Sequence, residues 1–210
     1  MEQHKKTAPE ISAAAVSGSA PAGAVSTKEQ LILAGLEELR EHGISGFSTR
    51  RVAKACGISC AAPYKHFKDT QTFIAEILGY INRMYLAEQA ELLASLEGAS
   101  SSVRLLEISM HYITFLVAHP TFRSVIMMNY RSCSEEYRVL RGQLSTVTYE
   151  IVAEYARDQG LSPEELRSRA FAIRSMIYGA ALFLENGEMP CDEATLDMVQ
   201  ERIGRVLAGA

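Results

Sequence analysis

The stretch Ser48–Thr70, STRRVAKACGISCAAPYKHFKDT, decides the fold. Ser48 is a favourable N-cap for a short helix from Thr49 to Cys56, with Val52, Ala53 and Cys56 on its apolar side. Gly57 permits the positive φ of a tight turn, and Ile58 can plug the corner behind it. Ser59 then caps a second short helix, Cys60 to Phe67. Two short capped helices joined through a glycine turn predict a helix-turn-helix, whose second helix can enter a DNA major groove. That groove is about 12 Å wide and accepts one helix. Cys60, Ala61 and Ala62 keep the leading end slim enough to approach base edges and thymine methyls, while arginines, lysines and Tyr64 nearby can reach phosphates. The candidate DNA-binding residues are Ser48, Thr49, Arg50, Arg51, Ser59, Cys60, Ala61, Ala62, Tyr64, Lys65, His66 and Lys68. Arg50 can pair bidentately with guanine or serve as a phosphate anchor. Phe67 is expected in the core.

Charge supports this choice of segment. The whole chain is at −4, which taken alone argues against nucleic acid. Between Ser45 and Thr70, however, five basic residues stand against Asp69 alone, so this segment carries +4 and the remainder −8. A compact basic patch on an acidic body is a local electrostatic footprint.

Working outward, residues 1–25 are rich in Ala, Ser, Gly and Pro and are expected to form a flexible tail. Ser26 or Thr27 can cap a first helix, with Leu31, Ile32, Gly35, Leu36 and Leu39 on its apolar stripe and Gly43 as its stop. Downstream, long helices are expected over about 71–96, 103–118, 135–159, 163–186 and 192–207, with a shorter one over 121–129. His119-Pro120 breaks the run, and Ser162-Pro163-Glu164-Glu165 opens the next long helix as a capping box. The fold class expected is all-α: a tail over 1–25, a three-helix DNA-binding domain over 26–72 containing the helix-turn-helix at 48–67, and a helical regulatory and dimerisation domain over 73–210.

Composition excludes several classes. With 210 residues, 48% hydrophobic and 22% charged, the chain can build a core without disulfides or metal. Its longest mainly apolar run, Met176–Leu184, falls far short of the roughly 20 residues a membrane helix needs. The opening MEQHKK is not followed by a leucine-rich stretch, so no secretory signal is expected. The four cysteines then read as reduced thiols in a cytoplasm. Cys56 and Cys60 are four residues apart across a turn, where metal binding is not expected, and no nucleophile–base pair or phosphate loop suggests an enzyme. No cofactor is called for.

In the body, methionines and aromatics recur at helical spacing, which suits a core and also an apolar ligand cavity. The candidate ligand-binding residues are Tyr80, Met84, Met110, His111, Phe115, His119, Phe122, Met127 and Tyr178. Glu107 beside His111 and His119 does not form a Glu-x-x-His metal motif.

Thr27–Phe73 resembles the DNA-binding domain of TetR-type (TetR/AcrR) transcriptional regulators. The resemblance rests on Gly43, Ser48-Thr49, Val52-Ala53, Gly57-Ile58-Ser59 and Tyr64-Lys65-His66-Phe67, with Ala61-Ala62-Pro63-Tyr64 as a common variant of the recognition helix. Tyr112–Met127, YITFLVAHPTFRSVIM, resembles a recurring run in the C-terminal half of that family. Thr70 stands where the family often has a lysine, and Glu38 stands at a usually apolar position, which is expected to loosen the first helix. The resemblance implies a homodimer that binds a palindromic duplex DNA operator, with Tyr64 facing a phosphate. It further implies a repressor released by a small, largely apolar effector. Residues 135–159 and 163–186 are then the natural dimer helices, with Arg174, Tyr178, Ala181 and Leu182 on the paired face. Two other readings are a regulator working through protein contacts alone and an all-α enzyme or binding protein that keeps the corner as structure.

Overall fold

The computed structural model describes residues 26–120, 122–123 and 146–209, and every regular element among them is helical. In chain order they are α1 (Thr27–Gly46), α2 (Thr49–Ala55), a 3₁₀ turn (Pro63–Lys65), α3 (Thr70–Ser95), α4 (Ser101–Ala118), α5 (Thr146–Asp158), α6 (Pro163–Glu185) and α7 (Glu193–Ala208). The expected tail, most of the 121–129 helix, the first part of the 135–159 helix and Met127 lie outside the described residues.

Side-chain caps set most helix starts. Ser26, Ser48, Asp69, Ser100, Ser162 and Asp192 each accept a backbone N–H three residues on, a contact worth about 1 kcal/mol. Asp69 and Ser100 are the caps of the next two helices, so α3 begins at Thr70 and α4 at Ser101, slightly earlier than expected. Ser162 and Glu165 form the reciprocal capping box that their spacing predicts.

Two elements differ from expectation in informative ways. Gly43 kinks α1 rather than ending it: its φ of 64° breaks the ladder, and a further turn follows to Gly46. The segment Cys60–Phe67 is a series of tight turns around the 3₁₀ element rather than an α-helix. The cause is Pro63, which has no N–H to give the Ser59 carbonyl. That carbonyl instead accepts from Ala62 at 2.9 Å, three residues on, and Lys65 and His66 repeat the pattern.

The head packs where α1 crosses α3. Gly35 makes this crossing close: a Cβ there would lie 2.5 Å from Cδ1 of Ile77. Phe67 stacks on Phe73 at 4.0 Å, and Phe47 meets Phe73 edge-on at 5.5 Å, so three aromatics seal the space beneath α2. α3 then runs without a break from the head core (Phe73, Ile77) into the body core (Ile81, Tyr85). In the body α4 is the central helix, packed against α3, α5, α6 and α7.

Candidate nucleic-acid interface

The reading edge is built by the corner that closes α2. Gly57, at φ 68°, lets Ile58 donate its N–H to the Ala53 carbonyl at 3.0 Å, which ends α2 and turns the chain outward. Beyond that corner Ser59, Cys60 and Ala61 are exposed, Ala62 is half-buried and Pro63 is buried. Tyr64, 55% exposed, stands beside exposed Lys65, His66 and Lys68. Arg50 and Lys54 are exposed on α2, and no ion pair among the described residues engages Arg50, Lys54 or Lys65. A narrow edge of small side chains flanked by uncommitted cations is the geometry a groove reader needs.

Other expected contacts have partners within the head. Thr49 is buried, with its hydroxyl 3.3 Å from that of Thr70, so it ties the start of α2 to the start of α3. Ser48 is spent on the cap of α2. Arg51 donates through Nε to both oxygens of Glu38, at 2.9 and 3.1 Å, and through Nη2 to Glu38 and, at 2.5 Å, to the Gly46 carbonyl.

Glu38 is therefore a clamp, where a polar residue on the apolar stripe suggested a loosened helix. It is 8% exposed and also accepts the Ser48 N–H at 2.9 Å, so one carboxylate holds α1 to the start of α2. Burial pushes its pKa up, but the hydrogen bonds from Arg51 and Ser48, with the charges of Arg51 and His42, outweigh burial and hold it below 4.5. The signal that could have found this pair was an acid facing the core and an arginine at the third position of a capped helix. Lys28, outside the expected set, pairs with Glu76 at 3.1 Å and lies 5.8 Å above the Phe67 ring. Cys56 is half-buried with its thiol directed at the Gln30 carbonyl, 3.6 Å away, while Cys60 is exposed. Among the described residues no cluster of His, Cys, Asp and Glu could hold a metal.

The body contains a cavity of about 260 Å³ between α3, α4, α5, α6 and α7. Tyr178 lines it, as do Tyr85, Ile108, Tyr155, Ile177 and Arg174. The other described residues of the expected ligand set lie outside that lining. Tyr80, Met84 and Met110 are half-buried, with Tyr80 and Met110 against the core. His111 stacks on Tyr85 at 5.5 Å, and Phe115, His119 and Phe122 continue from it as an aromatic column. His111 places Nε2 3.5 Å from the Glu88 carboxylate. Burial holds the His119 pKa below its usual 6.5 and raises that of Tyr85, whose hydroxyl accepts from Gln89 at 3.1 Å. A larger open groove, about 680 Å³, lies by Glu97 and Glu150, but its Arg104 is already paired with Glu154.

On α6, Phe171 is 75% exposed, Arg174 is exposed, and Tyr178 and Leu182 are half-buried. Ala181, expected on the same face, is fully buried in its own chain, where its carbonyl accepts from Arg123 at 3.3 Å. Ala181 lies nearly a full turn from Tyr178 and points inward with Ile177 and Leu184.

Residues 27–77 match the family model for bacterial regulatory proteins of the tetR family. The fold is shared with a transcriptional regulator of the TetR/AcrR family from Thermobifida fusca: TM-score 0.59, 20% identity, 86% of this chain and 95% of that one. It is shared with a protein of unknown function from Rhodococcus sp. RHA1: TM-score 0.68, 21% identity, 90% and 97% covered. It is also shared with FadR from Bacillus subtilis, solved in complex with stearoyl-CoA: TM-score 0.63, 15% identity, 86% and 98% covered. No curated protein sequence matches the chain. A head carrying the tetR-family match, continuous with a body whose described elements are all helical, defines the class, a DNA-binding transcriptional regulator. The tetR-family match lies on the head, residues 27–77, and the chain shares its fold along most of its length with solved regulators of the TetR/AcrR family.

Proposed function

We propose that this regulator is a repressor that binds a palindromic operator as a homodimer and is released by a small, largely apolar effector held in the body. The observation that carries the proposal is the slim edge Ser59–Ala62 together with the exposed, uncommitted cations Arg50, Lys54 and Lys65 of the same head. One such edge offers few base contacts, so two copies on half-sites about 34–36 Å apart supply the specificity. The exposed side of α6 marked by Phe171 is the surface through which two copies would pair, because an exposed phenylalanine of this size asks for a partner.

Switching follows from α3. It begins under the reading edge at Thr70 and supplies Tyr85 to the cavity wall, so the two sites share one rigid element. A ligand shifts the spacing of the heads only by its difference in affinity between the two arrangements, about 1–3 kcal/mol for typical coupling. The test is a mobility shift on DNA flanking the chain's own gene, with stoichiometry. Two subunits per site and release by a screened apolar compound are expected. Absence of binding to any genomic fragment would overturn the proposal.

A further inference from the structure

The body cavity is only partly apolar. Leu105, Ile108, Ile173 and Ile177 form one wall, while Arg169, Arg174 and five tyrosines (Tyr85, Tyr112, Tyr149, Tyr155 and Tyr178) also line it. Among the described lining residues there is no Asp or Glu. A cavity with two cations, several hydroxyls and no carboxylate selects against cationic ligands and offers a counter-charge to anionic ones.

The two arginines differ in what they are free to do. Arg169 donates through Nη1 to the Tyr155 hydroxyl at 2.7 Å and to the Leu207 carbonyl at 3.0 Å. The same carbonyl accepts from Tyr155 at 2.6 Å, so Arg169 holds α6 and α5 to the C-terminal end of α7. Glu165, one turn before Arg169, is itself bound to Ser162 in the capping box. Arg174 has no hydrogen bond or ion pair to a described residue, and Tyr178, one turn further along α6, lines the same cavity.

We infer that the cavity binds a small amphipathic organic acid, its carboxylate held by Arg174 and its apolar part against Leu105, Ile108, Ile173 and Ile177. This deepens the proposed effector role of the body and rests on it. Size follows from the volume. At the roughly 30 Å³ that a water occupies in the liquid, about 260 Å³ matches a molecule of ~8–12 heavy atoms.

The test uses the full chain without DNA and three probes of nearly one shape: 3-phenylpropionate, 3-phenyl-1-propanol and 3-phenylpropylamine. Calorimetry should show the acid binding at least about tenfold more tightly than the alcohol, the order a charged hydrogen bond supplies, with the amine weakest. Arg174→Gln should bring the acid down to the alcohol's affinity and leave the alcohol unchanged, and Arg174→Lys should restore part of the preference. The inference is overturned if none of the three binds, if the alcohol or amine matches the acid, or if Arg174→Gln leaves the preference intact. Operator affinity is measured separately, so a failure of DNA binding remains distinct from a failure of the cavity.

Discussion

The head and the body share α3 but use their polar groups in opposite ways. In the head, Glu38, Ser48 and Arg51 close on one another and Thr49 pairs with Thr70, while the outward cations Arg50, Lys54 and Lys65 stay uncommitted. In the body, Arg174 and several tyrosines face a cavity, and the tightest polar knot, Arg169 with Tyr155 and Leu207, sits at its edge. Satisfied polar networks rigidify, so the head is suited to presenting one fixed surface. A cavity wall with uncommitted donors has binding energy in reserve, which suits the body to respond.

Breaking the clamp should give the largest effect. Glu38→Ala leaves the Ser48 N–H without its acceptor and should cost about 2–3 kcal/mol in unfolding free energy, the upper range for a polar partner left unpaired. Arg174→Ala, without such a partner, should stay within about 0.5 kcal/mol of the parent. Urea unfolding of both variants checks the contrast, and equal losses would erase it.

The next effect concerns reading rather than folding. Arg50→Ala should cost about 1–3 kcal/mol in operator affinity and relax preference at one base pair, if its guanidinium reads guanine. Lys65→Ala should weaken binding evenly across sequences and make the salt slope shallower by about one unit. Binding selections with both variants separate the roles; matching sequence profiles would make Arg50 a phosphate anchor.

The smallest effect is in acid. His119 is held neutral by burial, so as pH falls the unfolded chain takes up its proton first. Its contribution is complete above 6.5 and declines from there towards its lower folded value. Glu38 is shifted downward from 4.5, so the head keeps its clamp until the pH falls below that range. Hydrogen exchange, corrected for intrinsic rates, should show α4 losing protection between pH 7.5 and 5.5 while α2 does not, and His119→Gln should flatten the change. Loss in α2 first would reverse the order.

The same contrast explains what was legible in the sequence. The head's elements are set by neighbours a few residues apart, such as Ser48 capping α2 and Gly57 turning the corner, so local pattern suffices. Where it fell short, at Cys60–Phe67, the missing N–H of Pro63 was present in the sequence but outweighed by the expectation of a full helix. The clamp joins residues 13 apart, and Arg169 reaches a carbonyl 38 residues away; such pairs leave no periodic trace. The cavity eluded the methionine and aromatic stripe because helical phase decides facing. On α4, Leu105, Ile108, Ser109 and Tyr112 meet the cavity, while Met110, His111 and Phe115 lie outside its lining.

The central claim is that the outward cations of the head, not the charge of the whole chain, bind DNA. Arg50, Lys54, Lys65 and Lys68 could neutralise about four phosphates per subunit, so a dimer should show log affinity falling with log salt at a slope near −7, from roughly −0.9 per phosphate. Operator titrations by fluorescence anisotropy between about 50 and 200 mM salt measure it directly. A slope near −7 is the predicted result; a salt-independent affinity would contradict the account.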